Sequence, residues 1–172
     1  MKVAIIGMGF VGNSLLNGLK DNVTVKEIDP KLGTNINEVK DFSPEIIFIC
    51  VPTPMSEDKT QDISIIESVV DEINHLKIQS LVVLKSTLLP NHVKEFEKKI
   101  PRFIYNPEFL REKHANEDFI NSELIIFGGN QNEAQYLSGF YQDHTKCICN
   151  DHIFTDPLTA SFIKYTINAF LS

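Results

Sequence analysis

Nothing in this sequence is long and apolar enough to lie across a membrane. No run approaches the roughly 20 apolar residues that a spanning helix needs. The apolar opening, MKVAIIGMG, is too short for a signal core and runs at once into glycine. Positive charge is scarce: 16 Lys and Arg stand against 23 Asp and Glu, a net charge of -7. Phosphate backbones are gripped by clustered Lys and Arg, so this balance excludes nucleic acid as the partner. Cysteine is scarce too. Cys50 sits in the apolar run IIFICV and reads as a small buried hydrophobe. Cys147 and Cys149 alternate within TKCICN, where an extended chain would turn both thiols the same way. No second Cys or His pair stands at ligand spacing, which argues against a metal site, and reduced thiols fit the cytoplasm. Repeats, low-complexity tracts and linkers are missing as well. The expectation is one soluble, cytoplasmic domain, since 172 residues at 42% hydrophobic suffice to bury a core unaided.

What is there is alternation. Short apolar runs predict strands over 2–6, 23–28, 45–50, 80–85, 103–105, 124–127 and 146–149. Amphipathic stretches between them predict helices over 10–20, 63–76, 91–99, 107–113 and 133–142, and from 157 onward. Strands separated by helices build βαβ units. The expected fold is therefore α/β: a Rossmann-type, doubly wound, mainly parallel sheet of six or more strands with helices on both faces.

The first motif is Gly7-Met8-Gly9-Phe10-Val11-Gly12. It follows the strand KVAII directly and opens the amphipathic pattern FVGNSLLNGLK. That context turns a weak glycine pattern into a dinucleotide fingerprint. Gly7 permits the tight turn, Gly9 lets backbone approach a pyrophosphate, and Gly12 lets the helix pack close to the strand. The helix start at Phe10 and Val11 offers free N–H groups and a positive dipole end. The fingerprint also needs an acid about 20 residues on, and VTVKEIDP supplies Glu27, then Asp29. A carboxylate there accepts hydrogen bonds from ribose hydroxyls and repels a 2′-phosphate, which favours NAD over NADP.

Four further motifs are each ambiguous alone. VPTP, from Val51 through Pro52 and Thr53 to Pro54, ends the strand IIFIC abruptly. KST places Lys85, Ser86 and Thr87 at the same edge after SLVVL. In YNPEFLRE, Asn106, Pro107 and Glu108 have the form of a helix start. Glu112 falls four residues after Glu108, which on a helix puts both carboxylates on one face. Such a pair suits a cation or an ordered water between them, or is simply solvated. The last helix opens at TDP and carries Lys164 and Asn168, again four apart, in a narrow stripe with Ala160. An ammonium and an amide on one face can both donate to a developing oxyanion.

In order, GMGFVG, ICVPTP, KST, YNPEFLRE with Asp118-Phe119 after it, and the Lys–Asn helix make a series that resembles the UDP-glucose/GDP-mannose dehydrogenase family. The resemblance covers essentially the whole chain and only the family's amino-terminal, NAD-binding domain. It implies oxidation of the C6 alcohol of a nucleotide sugar to a carboxylate with NAD, UDP-glucose to UDP-glucuronate being the expected reaction. An aldehyde forms first, a Cys attacks it, and the resulting thioester is hydrolysed. By motif position the catalytic set would be Thr87, Glu108, Glu112, Lys164 and Asn168. Thr87 and Glu112 would hold a water, with Glu112 the base. Glu108 would line the sugar site, and Lys164 and Asn168 would stabilise oxyanions. Gly7, Gly9, Phe10, Val11, Gly12, Glu27, Asp29, Val51, Pro52, Thr53, Ser86, Thr87 and Glu112 would surround the NAD.

The resemblance also sets a domain plan. Residues 1–155 would form the NAD-binding unit, and 156–172 the start of a connecting helix through which the family dimerises. That helix is cut short in IKYTINAFLS, where no Gly, Asn or Pro marks a stop. The central and UDP-binding domains, with the nucleophilic Cys, would lie beyond it, so this chain alone is not expected to complete the reaction. The sequence departs from the family pattern at several points. Glu27 replaces the usual Asp, Leu32 a Lys, and Lys113 a Gly. Asn121-Ser122-Glu123 replaces Pro-Asp-Arg, and Ser161 replaces an acid. Two other readings stay open. One is a stand-alone NAD-binding module. The other is a Rossmann dehydrogenase of hydroxyacid type, which would share the glycine loop and the Lys–Asn pair but not VPTP or YNPEFLRE.

Overall fold

The computed structural model describes residues 1–171 apart from Glu57 and Lys59, with the backbone alone of Leu171. Among the described residues seven strands alternate with seven α-helices. The strands are β1 (Lys2–Ile6), β2 (Thr24–Ile28), β3 (Ile46–Ile49), β4 (Leu81–Leu84), β5 (Phe103–Tyr105), β6 (Ile125–Gly129) and β7 (His152–Thr155). The helices are α1 (Phe10–Gly18), α2 (Asn37–Phe42), α3 (Ser64–His75), α4 (Pro90–Lys99), α5 (Ala115–Ile120), α6 (Gln131–His144) and α7 (Pro157–Leu171). The sheet order is β2-β1-β3-β4-β5-β6-β7. All neighbours run parallel except β5 and β6. The order reverses between β1 and β3, and the crevice at such a switch point is where open α/β sheets bind ligands. The first half contributes only two strands. A short turn of 3₁₀ helix (Pro30–Leu32) and α2 lead from the outermost strand, β2, to β3.

The central strands are buried on both faces, which is why they read as continuous apolar runs. Ala4, Ile47, Ile49, Val82, Leu84 and Tyr105 face one layer, with Val39 of α2, Val70 of α3, Phe96 of α4 and Ala160 of α7. Val3, Ile5, Phe48, Val83, Ile104 and Phe127 face the other, with Leu15 of α1, Phe119 of α5 and Phe140 of α6. Among the described residues no helix is long and apolar enough to cross a membrane.

Two expected elements are not formed. Residues 146–149 are not a strand. They make an irregular strap whose amides satisfy helix ends: Lys146 N donates to Gly18 O at 2.7 Å and Ile148 N to Ile120 O at 2.9 Å. Carbonyls at a helix C-terminus need such partners, and that demand outweighs sheet pairing here. The seventh strand forms just after it, over His152–Thr155. Residues 107–113 are not a helix either. Asn106 N extends the sheet to Leu84 O, and the Asn106 side chain bonds Ile126 O instead of capping. Helix begins only beyond a 3₁₀ turn (Glu112–His114). Glu108 and Glu112 therefore do not share a helical face.

α5 is held in place by a clasp. The Arg111 amide and guanidinium both donate to the Asp118 carboxylate, at 2.7–3.0 Å, and hold its pKa down at about 2. A carboxylate whose pKa falls on folding stabilises the native state above its unfolded pKa, near 3.9, and loses that contribution as pH drops toward about 2. Replacing Asp118 with Asn should lower stability at pH 6–7, with the difference from wild type vanishing on acidification to about pH 2; urea midpoints across pH measure this. Phe119 is 2% exposed between the layers, and Phe119→Ala should cost about 3–5 kcal/mol in the same unfolding experiment.

Candidate functional site

The loops that follow parallel strands gather at one edge of the sheet. Gly7 follows β1, and its amide still bonds the last carbonyl of β2, Ile28 O, at 2.9 Å. Its φ is +93°, and a Cβ would stand 2.9 Å from the Cys50 backbone, so the turn requires glycine. At Gly12 a Cβ would meet Gly7 O at 2.1 Å, the close helix–loop approach that the motif predicts. A Cβ at Gly9 would meet nothing within 4 Å, so backbone there is open to a ligand. α1 starts at Phe10 with no side-chain cap and no acid in its first turn. Its first amides, including those of Phe10 and Val11, thus lack an intrahelical partner and face the crevice with the positive end of the dipole. An unfilled, uncapped helix start beside an open glycine fits a dinucleotide pyrophosphate.

The two acids after β2 separate in role. Asp29 is absorbed by structure: its carboxylate accepts from Met8 N at 2.7 Å and Lys31 N at 2.9 Å. The Met8 bond first, and then the Lys31 bond, lowers its pKa. Asp29 thus ties the glycine loop to the end of β2. Glu27 is half-exposed and level with Ile5 of β1, and its carboxylate has no hydrogen bond or ion pair among the described residues.

The loops after β3 and β4 are stitched together. Ser86 Oγ donates to Val51 O at 2.6 Å, and Thr53 Oγ1 to Thr87 O at 2.8 Å. Gln61 adds a second bond to Thr87 O, accepts from Leu89 N and meets the Tyr165 hydroxyl of α7. Ser161 Oγ, fully buried on α7, donates to Leu88 O at 2.7 Å. Pro52 is exposed at the loop surface, and the Thr87 hydroxyl has no partner among the described residues. Gln61 and Ser161 were not legible as site residues. Their importance comes from contacts between loops far apart in sequence.

Beneath this edge lies a buried ammonium. Lys85, 2% exposed and one residue past β4, donates to Asn106 Oδ1 at 2.7 Å, to Tyr141 OH at 2.8 Å and to the Glu108 carboxylate. Tyr141 OH donates in turn to Asn106 Oδ1 at 2.7 Å. Burial is the largest single influence and opposes the Lys85 charge, but Glu108, Tyr141 and Cys50 together outweigh it and the pKa is raised. The Cys50 thiol beside this group is pushed up to about 12, chiefly by burial. Burial raises Cys147 and Cys149 as well. None of these thiols is an activated nucleophile.

Lys164, on the buried side of α7, donates to the Glu108 carbonyl and to Asn168 Oδ1 at 3.0 Å, as the four-residue spacing predicts. Its ammonium stands 4.9 Å from the Phe109 ring centre. Burial lowers its pKa, and Glu108 opposes that shift. Glu108 thus lies between two lysines, its side chain turned inward to Lys85. Glu112 is exposed in the 3₁₀ turn and shares no helix face with Glu108.

Because Lys85 fills three acceptors in a dry setting, Lys85→Met should cost about 3–5 kcal/mol of stability in urea unfolding, and adding Glu108→Gln should restore part of it by removing the unpaired charge. Native protein at pH 8 treated with a thiol reagent should leave Cys50 unmodified until denaturant is added; rapid native labelling of Cys50, located by peptide mapping, would contradict its burial and high pKa.

Comparison with known proteins gives this edge its context. A model of the UDP-glucose/GDP-mannose dehydrogenase family, NAD binding domain, matches residues 17–145. The UDP-glucose 6-dehydrogenase of Rickettsia bellii is 35% identical over 136 residues, 74% of this chain and 31% of its own length. Among solved structures, GDP-mannose dehydrogenase from Pseudomonas aeruginosa superposes with a TM-score of 0.79 at 22% identity, over 99% of this chain and 50% of that one. A UDP-glucose dehydrogenase from Pyrobaculum islandicum gives 0.74 at 23%, over 99% and 49%. At these identities the two structures establish the fold alone. The chain spans about a third of the length of the Rickettsia bellii relative and about half of these solved neighbours. With the family match covering well over half of the sequence, the chain belongs to the UDP-glucose/GDP-mannose dehydrogenase family and carries its NAD binding domain.

Proposed function

We propose that this chain is the cofactor half of a cytoplasmic nucleotide-sugar 6-dehydrogenase that acts on UDP-glucose. The observation that carries the reading is the shared sheet edge: an uncapped α1 start and the unengaged Glu27 lie on the same edge as Lys164, Asn168 and Thr87. In this reading the Phe10 and Val11 amides receive the pyrophosphate, Glu27 accepts from the ribose hydroxyls, and Val51, Pro52, Thr53 and Ser86 wall the crevice. Bound NAD supplies the hydride acceptor. The Lys164 ammonium, half-stripped of water, donates to the oxygen at C6 as negative charge grows there, and Asn168 steadies it. The free Thr87 hydroxyl orients a water, with Glu112 as the base that reaches it when the substrate-binding parts are in place. The thioester step needs an activated thiol, and the burial and raised pKa values of Cys50, Cys147 and Cys149 argue against these three in that role. Exposed Leu158, Phe162 and Phe170 on α7 support self-association through that helix.

The first experiment is calorimetric titration with NAD and with NADP. NAD should bind and NADP should bind much more weakly. Glu27→Ala should weaken NAD by about tenfold or more and narrow the gap to NADP, since a charged hydrogen-bond pair is lost. Failure of the wild-type chain to bind either nucleotide would overturn the cofactor assignments. Unchanged binding by Glu27→Ala would remove Glu27 from the ribose site.

A further inference from the structure

Two lysines reach Glu108 from opposite sides. Among the described residues Lys164, at the open edge, bonds only the backbone carbonyl of Glu108 and the Asn168 side chain. Lys85, inside the domain, takes the carboxylate. A glutamate side chain is long enough to fold back past its own carbonyl, so the same carboxylate could swing out to the Lys164 ammonium. The two arrangements differ in consequence. An ammonium already paired with a carboxylate is a poor donor to a developing oxyanion, because the anion must compete with a charge in place. An ammonium bonded only to neutral oxygens keeps its charge available.

What holds the carboxylate inward is the rigidity of its inner partner. The Lys85 ammonium is fixed by Asn106 Oδ1 and Tyr141 OH, and the Asn106 amide is fixed in turn to Ile126 O at 2.9 Å. The rings of Phe48 and Tyr141 stand 5.9 and 5.6 Å from its charge. We propose that Lys85 is a positioning residue for Lys164: it draws the Glu108 carboxylate into the domain and leaves the Lys164 ammonium without a carboxylate partner, free to donate to a substrate oxygen. The value of this arrangement to catalysis rests on the reading of Lys164 given above. The arrangement itself does not, because the ionisation of Lys164 can be read without any substrate.

Around Lys164 the neighbouring groups are few. Asn168, Ser161 and Tyr165 come from its own helix, Phe109 and Glu108 from the loop after β5, and Lys85 stands behind Glu108. Among the described residues Glu108 is the charged group that acts on it.

The test is NMR titration of the full chain labelled with 13C at lysine Cε, the Lys164 signal being assigned with Lys164→Arg. Wild-type Lys164 should titrate below the ordinary lysine value of about 10.4. In Lys85→Met the freed carboxylate should turn outward and raise the Lys164 midpoint by about one unit or more. In Lys85→Met/Glu108→Gln that rise should disappear, leaving Lys164 where Glu108→Gln alone puts it. A role for Lys85 in folding only would lower the melting temperature of Lys85→Met and leave the Lys164 titration unmoved, which would overturn the proposal. Should Lys85→Met not fold, the double variant, which strands no buried charge, decides: a gap between its Lys164 midpoint and that of Glu108→Gln alone would show Lys85 acting other than through Glu108, and would equally overturn it. Loss of NAD binding with the predicted Lys164 shifts intact would count against the cofactor reading and not against this one.

Discussion

A parallel sheet covered on both faces has no room for a polar side chain except at the ends of its strands. β1, β3 and β4 are buried along their whole length or nearly so, and every residue of IIFI and LVVL is apolar. Water reaches the strands only at their edges. The first places open to polar groups are therefore the residues one to four positions beyond each carboxyl end: Gly7, Val51 to Thr53, Lys85 to Thr87, and Asn106 to Glu108. The chemistry of the domain is concentrated there because the core excludes it elsewhere.

The same constraint explains the buried Lys85. One residue past β4, its alternation still points the side chain into the layer that holds Phe48 and Tyr141. A charge in such a place survives only with every donor filled. Asn106, Tyr141 and Glu108 meet that demand, and in meeting it they pull residues 106–108 out of the helix that the Asn-Pro-Glu start would favour. The departure at YNPEFLRE and the inward turn of Glu108 are one event. Local capping offers about a kilocalorie, whereas an unpaired buried ammonium costs several.

The family explains why these loops also interlock. A cofactor crevice must hold its walls before the ligand arrives, and here Ser86, Thr53, Gln61 and Ser161 spend their polar groups on the carbonyls of neighbouring loops. Ser161, where the family pattern has an acid, is fully buried and bonds Leu88 O. The helix bearing Lys164 is thereby locked to the loop bearing Thr87 without an ion pair.

How much of this the sequence held can be read residue by residue. It determined the glycine loop and its strand–helix context, because Gly7 and Gly12 are dictated by sterics that act over a few residues. It determined six of the strands, and in β3 and β4 two-sided burial writes itself as an unbroken apolar run. It determined the Lys164–Asn168 contact, because helical spacing alone brings residues four apart together. It did not determine the strap at 146–149 or the strand that follows, whose pairing depends on which helix ends need partners. Nor did it show that the Met8 and Lys31 amides take up the Asp29 carboxylate and leave that of Glu27 without a partner among the described residues. The facing of Glu108, the hub at Gln61 and the burial of Lys85 were likewise decided by tertiary structure. Each is a choice between partners more than twenty residues away, and no local pattern records which distant group a side chain will meet.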